Sequence, residues 1–160
     1  MDLLVKKRWL SGSGKDYTFE EVNNIVSEHA LNHKIFIGSD SFITKNRTCF
    51  VTAVCLLTKN LGGKYFLYKD YVPTRQFSIL SVRITEEVRR SVELADYFMN
   101  SHNILPSDIE LHLDVSPFAA KNGTSKFSDM LKGYVQGYGF ECKLKPNAWA
   151  SQSVADRHSK

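Results

Sequence analysis

Four acidic residues, spread over four separate stretches of the chain, have the type and placing to hold a metal ion: Asp40 in IFIGSDSF, Glu87 in RITEEVRR, Asp114 in LHLDVSP and Asp156 in SVADRHSK. Asp40 and Asp114 close apolar, strand-like runs, where an unpartnered carboxylate is costly to bury and a cation is the usual remedy. Brought together by a fold, the four form an oxygen-only cage of the hard-ligand kind that suits Mg²⁺ or Mn²⁺, and such cages act on phosphate esters.

Other chemistry-bearing residues point elsewhere. Ser39 and Ser41 flank Asp40 but have no base beside them, so they read as hydrogen-bonding neighbours, not nucleophiles. Asp70, Asp96, Asp108 and Asp129 fall at strand ends or on polar helix faces and read as solvated. Gly12, Gly14 and Lys15 do not make a phosphate loop, because Lys15 precedes Asp16 instead of Ser or Thr and no buried strand leads into it. Cys49, Cys55 and Cys142 are odd in number and lack metal-ligand spacing. Cys49 and Cys55 fall about 20 Å apart along one expected strand, so all three read as reduced thiols.

Positioning four carboxylates requires a folded domain, and the composition supports one. A chain of 160 residues, 42% hydrophobic and 24% charged, has the size and make-up of a single domain with its own core. A net charge of +4 permits a polyanionic partner without requiring one. No apolar run approaches the ~18 residues of a membrane span, and MDLLVKKRWL lacks the long apolar stretch of a signal peptide. A cytoplasmic protein without membrane contact is expected.

Residues 1–17, with KKRWLSGSGKDY, read as a basic and Gly/Ser-rich arm, leaving 18–160 as the domain. Thr18 and Glu21 form a capping box ahead of Phe19, Val22, Ile25, Val26 and Ala30, whose spacing predicts a helix to about residue 31. KIFIGSDSF, TCFVTAVCLLT and GKYFLYKDYV are three strands of an antiparallel meander. From Ser78 to Met99 the period becomes helical, with Ile84, Val88, Val92, Ala95 and Met99 on one face. DIELHLDV is then a strand, SKFSDMLKGYVQGY a helix ending at Gly137 or Gly139, FECKL a strand, and NAWASQSVADRH a helix after Pro146. This order predicts an α/β fold with a five-stranded mixed sheet flanked by helices, in which LHLDV returns beside IFIGSD through a right-handed crossover.

That arrangement resembles the ribonuclease H-like superfamily. Within it, IGSDS, the R-I-x-E-E helix start, HLDV and the closing KPNAWASQSVADRH are similar to the poorly characterised YkuK-like family, over residues 34 to 158. The resemblance implies that Asp40 bridges two metal ions, that Asp114 is the second aspartate, and that Asp156 completes the second metal site. It implies a nuclease that hydrolyses phosphodiester bonds with two Mg²⁺ or Mn²⁺ ions, acting on RNA, DNA or a hybrid of the two. The helix-borne glutamate is Glu86 or Glu87. At about 100° per residue, Glu87 borders the apolar stripe through Ile84, Val88 and Ser91 while Glu86 points away, so Glu87 is the choice.

Around this set, several residues carry two readings. His158 is a proton shuttle beside Asp156 or an exposed or capping residue of the last helix. His112, on the same strand face as Asp114, supports the site or is a hydrogen-bonded sheet histidine. Lys145 contacts a phosphate or is surface charge. Arg83, Arg89, Arg90, Lys121 and Lys126 form a phosphate-tracking rim or a solvated face, and Trp149 stacks on bases or packs in the core. The loop SPFAAKNGTSK matches no known pattern. A non-catalytic nucleic-acid-binding module of the same fold is the alternative to a nuclease. A purely structural protein leaves an Asp at the ends of two core strands unexplained.

Overall fold

The computed structural model describes residue 4 and residues 6–58, 62–115 and 124–159. Its elements are β1 (Trp9–Ser11), β2 (Asp16–Tyr17), α1 (Phe19–His29), β3 (Ile35–Ile43), β4 (Arg47–Thr58), β5 (Gly62–Pro73), α2 (Leu80–His102), β6 (Ile109–His112), α3 (Thr124–Gly137), β7 (Glu141–Lys143) and α4 (Asp156–Ser159). A π-helical turn, Ala150–Ala155, runs directly into α4. The mixed sheet has the order β2-β1-β5-β4-β3-β6-β7, with β6 parallel to both β3 and β7.

The expected count of five strands is therefore corrected to seven. The two additions come from residues read as an arm. Trp9 pairs with Tyr68 of β5, and Asp16–Tyr17 folds back on β1. The Gly/Ser stretch that suggested an arm is the turn between them: Gly14 adopts φ 88°, and the Ser11 amide donates to the Lys15 carbonyl at 2.9 Å. Trp9 is wholly buried, stacked 5.5 Å from Phe19 and edge-on to Tyr68 at 4.8 Å. A single aromatic among basic residues shows no alternation, which is why the strand is silent in the sequence.

Elsewhere local chemistry sets the boundaries. Thr18 and Glu21 make the reciprocal capping box that opens α1. Helix α2 ends at Asn103, whose left-handed backbone stops it. The sheet is covered on both faces, which explains the near-continuous burial of β4. On one face, Ile35, Ile37, Val54, Leu56 and Phe66 pack with residues of the helices, among them Val22, Val26, Val88, Val92 and Phe98. On the other, Val51, Ala53, Cys55 and Leu67 pack under Ala150 and Ala155.

Two features of β3 shape the end of the sheet. A Cβ at Gly38 would lie 2.5 Å from the Ser151 amide nitrogen and 2.6 Å from the Ala150 carbonyl carbon, so glycine lets the π-helical turn sit directly on the strand. The parallel pairing with β6 ends at Gly38↔His112, while β4 accompanies β3 as far as Ile43. The last five residues of β3 thus run past the end of β6. Strand β6 is shorter than the expected DIELHLDV because the chain bends at Asp114, where the Val115 amide donates to the Leu113 carbonyl at 2.8 Å.

Trp9→Ala is expected to lower unfolding free energy by about 3–5 kcal/mol, the usual range for a buried tryptophan. Urea denaturation checks this, and a loss below about 1 kcal/mol, typical of a surface site, would contradict the place of β1 in the sheet.

Candidate metal centre

Beyond the end of β6, three elements converge. Asp40 projects from β3 two residues past the last parallel pair, Asp114 comes two residues after β6, and Glu87 reaches in from the second turn of α2. Each offers a carboxylate oxygen, and these oxygens all lie within 4.8 Å of one another. Alternation along β3 places Asp40 on the face of Phe36, Gly38 and Phe42, beneath the terminal helix, whereas α2 lies on the opposite face. The cluster therefore forms at the end of the sheet, where groups from both faces can meet.

Glu87 is the most constrained member. It is 5% exposed, on the face of α2 that also buries Val88, Ser91 and Val92. The Ser41 hydroxyl donates to Glu87 Oε2 at 2.7 Å, while Oε1 is buried without a hydrogen-bond partner among the described residues. Burial pushes the Glu87 carboxyl well above the usual range; Asp40 and Asp114 push it further, against the pull of the Ser41 bond and Arg83. Glu86, one residue earlier, is not part of the cluster; it is partly buried, its side chain 12% exposed, and pairs with Arg89. Ser39 steadies the same junction, donating to Thr52 at 3.1 Å and lying 2.8 Å from the Ser91 hydroxyl. An orphaned buried oxygen among like-charged oxygen donors fits a hard cation.

Asp156 opens α4 and is partly buried; its carboxylate is not among the three that share the 4.8 Å cluster. His158 turns elsewhere, its Nε2 2.7 Å from the Tyr65 hydroxyl, with its pKa lowered by burial, Lys69 and Arg157. His112 accepts the Ala150 amide on Nδ1 at 2.9 Å and meets Glu110 Oε2 through Nε2 at 2.7 Å. Burial lowers its pKa, and a neutral ring with the proton on Nε2 satisfies both bonds. His112 thereby clamps the start of the π-helical turn to β6. Trp149 packs on the same ring and on Phe36.

The basic residues are largely engaged within the molecule. Arg83 donates to the carbonyls of Phe77 and Ser78, Arg89 pairs with Glu86 and Glu93, and Arg90 pairs with Asp70 at 2.7 Å. Asp70, expected to be solvated, is held between Arg90 and Lys7. Lys145 lies 2.8 Å from Asp114 Oδ1. Lys121 and the Lys126 side chain, with most of the SPFAAKNGTSK loop, lie outside the described residues. Three contributors were not legible as such: Gly38, whose place in a strand two residues before Asp40 was the available signal; Ser41, which serves Glu87 instead of Asp40; and Lys145 as a partner of Asp114.

Comparison with known proteins agrees with this geometry. The family model described as Ribonuclease H-like matches residues 17–160, and the chain belongs to that family. The chain is also similar to the Uncharacterized protein YkuK of Bacillus subtilis (strain 168), at 25% identity over 161 residues, covering 89% of this chain and 91% of that protein. No solved structure matches with significance.

A carboxyl whose folded pKa is raised binds its proton more tightly in the native state, so stability is greatest below its unfolded pKa and falls as pH rises toward the folded value. The metal-free protein should therefore lose stability as pH climbs from the ordinary glutamate value of 4.5 through the elevated range of Glu87. Glu87→Gln should flatten that decline. Melting curves in chelator from pH 4 to pH 8 measure it, and equal slopes for the two proteins would contradict the buried, repelled carboxyl.

Proposed function

We propose that this protein is a divalent-metal-dependent nuclease that hydrolyses phosphodiester bonds in cytoplasmic nucleic acid. The observation that carries the reading is the convergence of Asp40, Glu87 and Asp114, one of them with a buried oxygen that has no hydrogen-bond partner among the described residues, in a chain of the ribonuclease H-like family. Their all-oxygen donor set favours Mg²⁺ or Mn²⁺ over zinc, which prefers nitrogen and sulfur. We assign Asp156, at the start of α4, to the second of two ions. Supporting a cytoplasmic setting, the cysteines are free, and no helix among the described residues is long and apolar enough to cross a membrane.

When bound, a pair of such ions supplies Lewis acidity, making water nucleophilic and offsetting charge on the departing oxygen. The residues of the chain supply the frame. Asp40 presents its carboxylate from a strand held by β4 on one side, and Asp114 from the bend that follows β6. Glu87 is aimed by Ser41 and by the packing of α2, so the carboxylates are set before substrate arrives. Hydrolysis then joins a water oxygen to phosphorus as the bond to the 3′-oxygen breaks, leaving a 5′-phosphate and a 3′-hydroxyl. The bond from His158 to Tyr65 favours its role in steadying α4 over a place at the phosphate.

Purified protein is expected to cut at least one of labelled RNA, DNA or RNA·DNA hybrid in Mg²⁺ or Mn²⁺ and none in excess EDTA. Asp40→Asn and Asp114→Asn should lower the rate by more than about 100-fold, the upper end of what losing a supporting group costs, whereas Glu86→Gln should be tolerated. Binding without cutting under every condition would point to the non-catalytic module, and cutting in EDTA would exclude the metal mechanism.

A further inference from the structure

We propose that Lys145 is a built-in counter-cation of the carboxylate cluster: its ammonium competes with the divalent ion at Asp114 and so sets the ion concentration at which the centre fills. The proposal rests on the metal-centre reading of the cluster, itself supported by the buried Oε1 of Glu87, which has no hydrogen-bond partner among the described residues.

The backbone builds this pairing. Past the end of β6, Leu113 donates its amide to the Lys143 carbonyl at 2.9 Å, and Lys145 donates its own to the Val115 carbonyl at 3.1 Å. These two bonds align residues 113–115 with residues 143–145, placing Lys145 beside Asp114. Its Nζ then sits 2.8 Å from Asp114 Oδ1. The ammonium feels the whole cluster, since the bond to Asp114 and the charges of Asp114, Asp40 and Glu87 all favour its protonated form. Arg83 also acts on Glu87 electrostatically, yet its guanidinium donates to the carbonyls of Phe77 and Ser78.

The chemistry of the side chain suits a displaceable partner. Lysine carries a compact, strongly hydrated charge on a flexible stem, and here the side chain is 41% exposed against 22% for Asp114. It can swing into water once a divalent ion takes the carboxylate. Two cations on one carboxylate disfavour each other, and linkage makes this reciprocal: whatever the ammonium contributes to the metal-free cluster, the ion must displace.

Calorimetric titration of Mn²⁺ into the full-length wild type, Lys145→Gln and Lys145→Arg tests this, with melting curves in chelator and in saturating Mn²⁺ alongside. Lys145→Gln should bind Mn²⁺ about tenfold more tightly, as expected when one nearby positive charge is removed. It should also melt at a lower temperature than wild type in chelator and match it in saturating Mn²⁺. Lys145→Arg keeps the charge and should bind within about threefold of wild type. Unchanged or weaker Mn²⁺ binding by Lys145→Gln overturns the counter-cation role while leaving the metal centre standing. Absence of Mn²⁺ binding in all three cooperatively melting proteins overturns the metal centre and this role with it. Neither readout depends on cleavage.

Discussion

Carboxylates confined as closely as Asp40, Glu87 and Asp114, whose oxygens lie within 4.8 Å of one another, repel by an amount that the protein cannot ignore. At about 5 Å, two like unit charges cost roughly 1 kcal/mol in water and roughly 3 kcal/mol at an effective dielectric near 20. Set against a total stability of about 5–15 kcal/mol, several such pairs must be offset. A proton on Glu87, favoured by burial, is one remedy, and the Lys145 ammonium on Asp114 is another. A divalent ion is the third, and it also offers a partner to Glu87 Oε1, which has none among the described residues. The centre is thus organised around positive charge, supplied from within or from solution.

The rest of the fold can be understood as the frame that holds this repulsive set in place. Ser39 links β3 to β4 and α2 through Thr52 and Ser91, and Ser41 fixes Glu87 from the same strand. Gly38 admits the π-helical turn against β3, and His112 pins that turn to β6. These bonds lie within a few residues of the carboxylates, on elements whose outer parts are anchored by the two apolar layers. Rigid elements around a repulsive site keep it assembled where loops would let it splay.

Much of this was legible in the sequence for identifiable reasons. Asp40 and Asp114 stand out because acids are rare at the ends of buried apolar runs, and the helical period of α2 separates Glu87 from Glu86. The long strands β3, β4 and β5 are marked by aromatic and β-branched runs between turn signals. What was not legible depends on contacts between distant parts of the chain. Trp9 becomes a strand residue only because β5 and Phe19 receive it, and the Gly12–Gly14 stretch reads as a turn only once β1 and β2 exist. The pairing of Lys145 with Asp114 comes from two backbone bonds beyond β6, which no local pattern encodes. Residues that serve a site through tertiary bonds carry no periodic signature.

The central claim is that Asp40, Glu87 and Asp114 hold a divalent cation, and a crystal of the protein grown in Mn²⁺ tests it most directly. Anomalous scattering should place a manganese ion among the three carboxylates, with oxygen ligands at about 2.1–2.2 Å and one of them Glu87 Oε1. The Lys145 ammonium should have left Asp114. A crystal in millimolar Mn²⁺ that shows no anomalous peak there, with Lys145 still bonded to Asp114, would contradict the account.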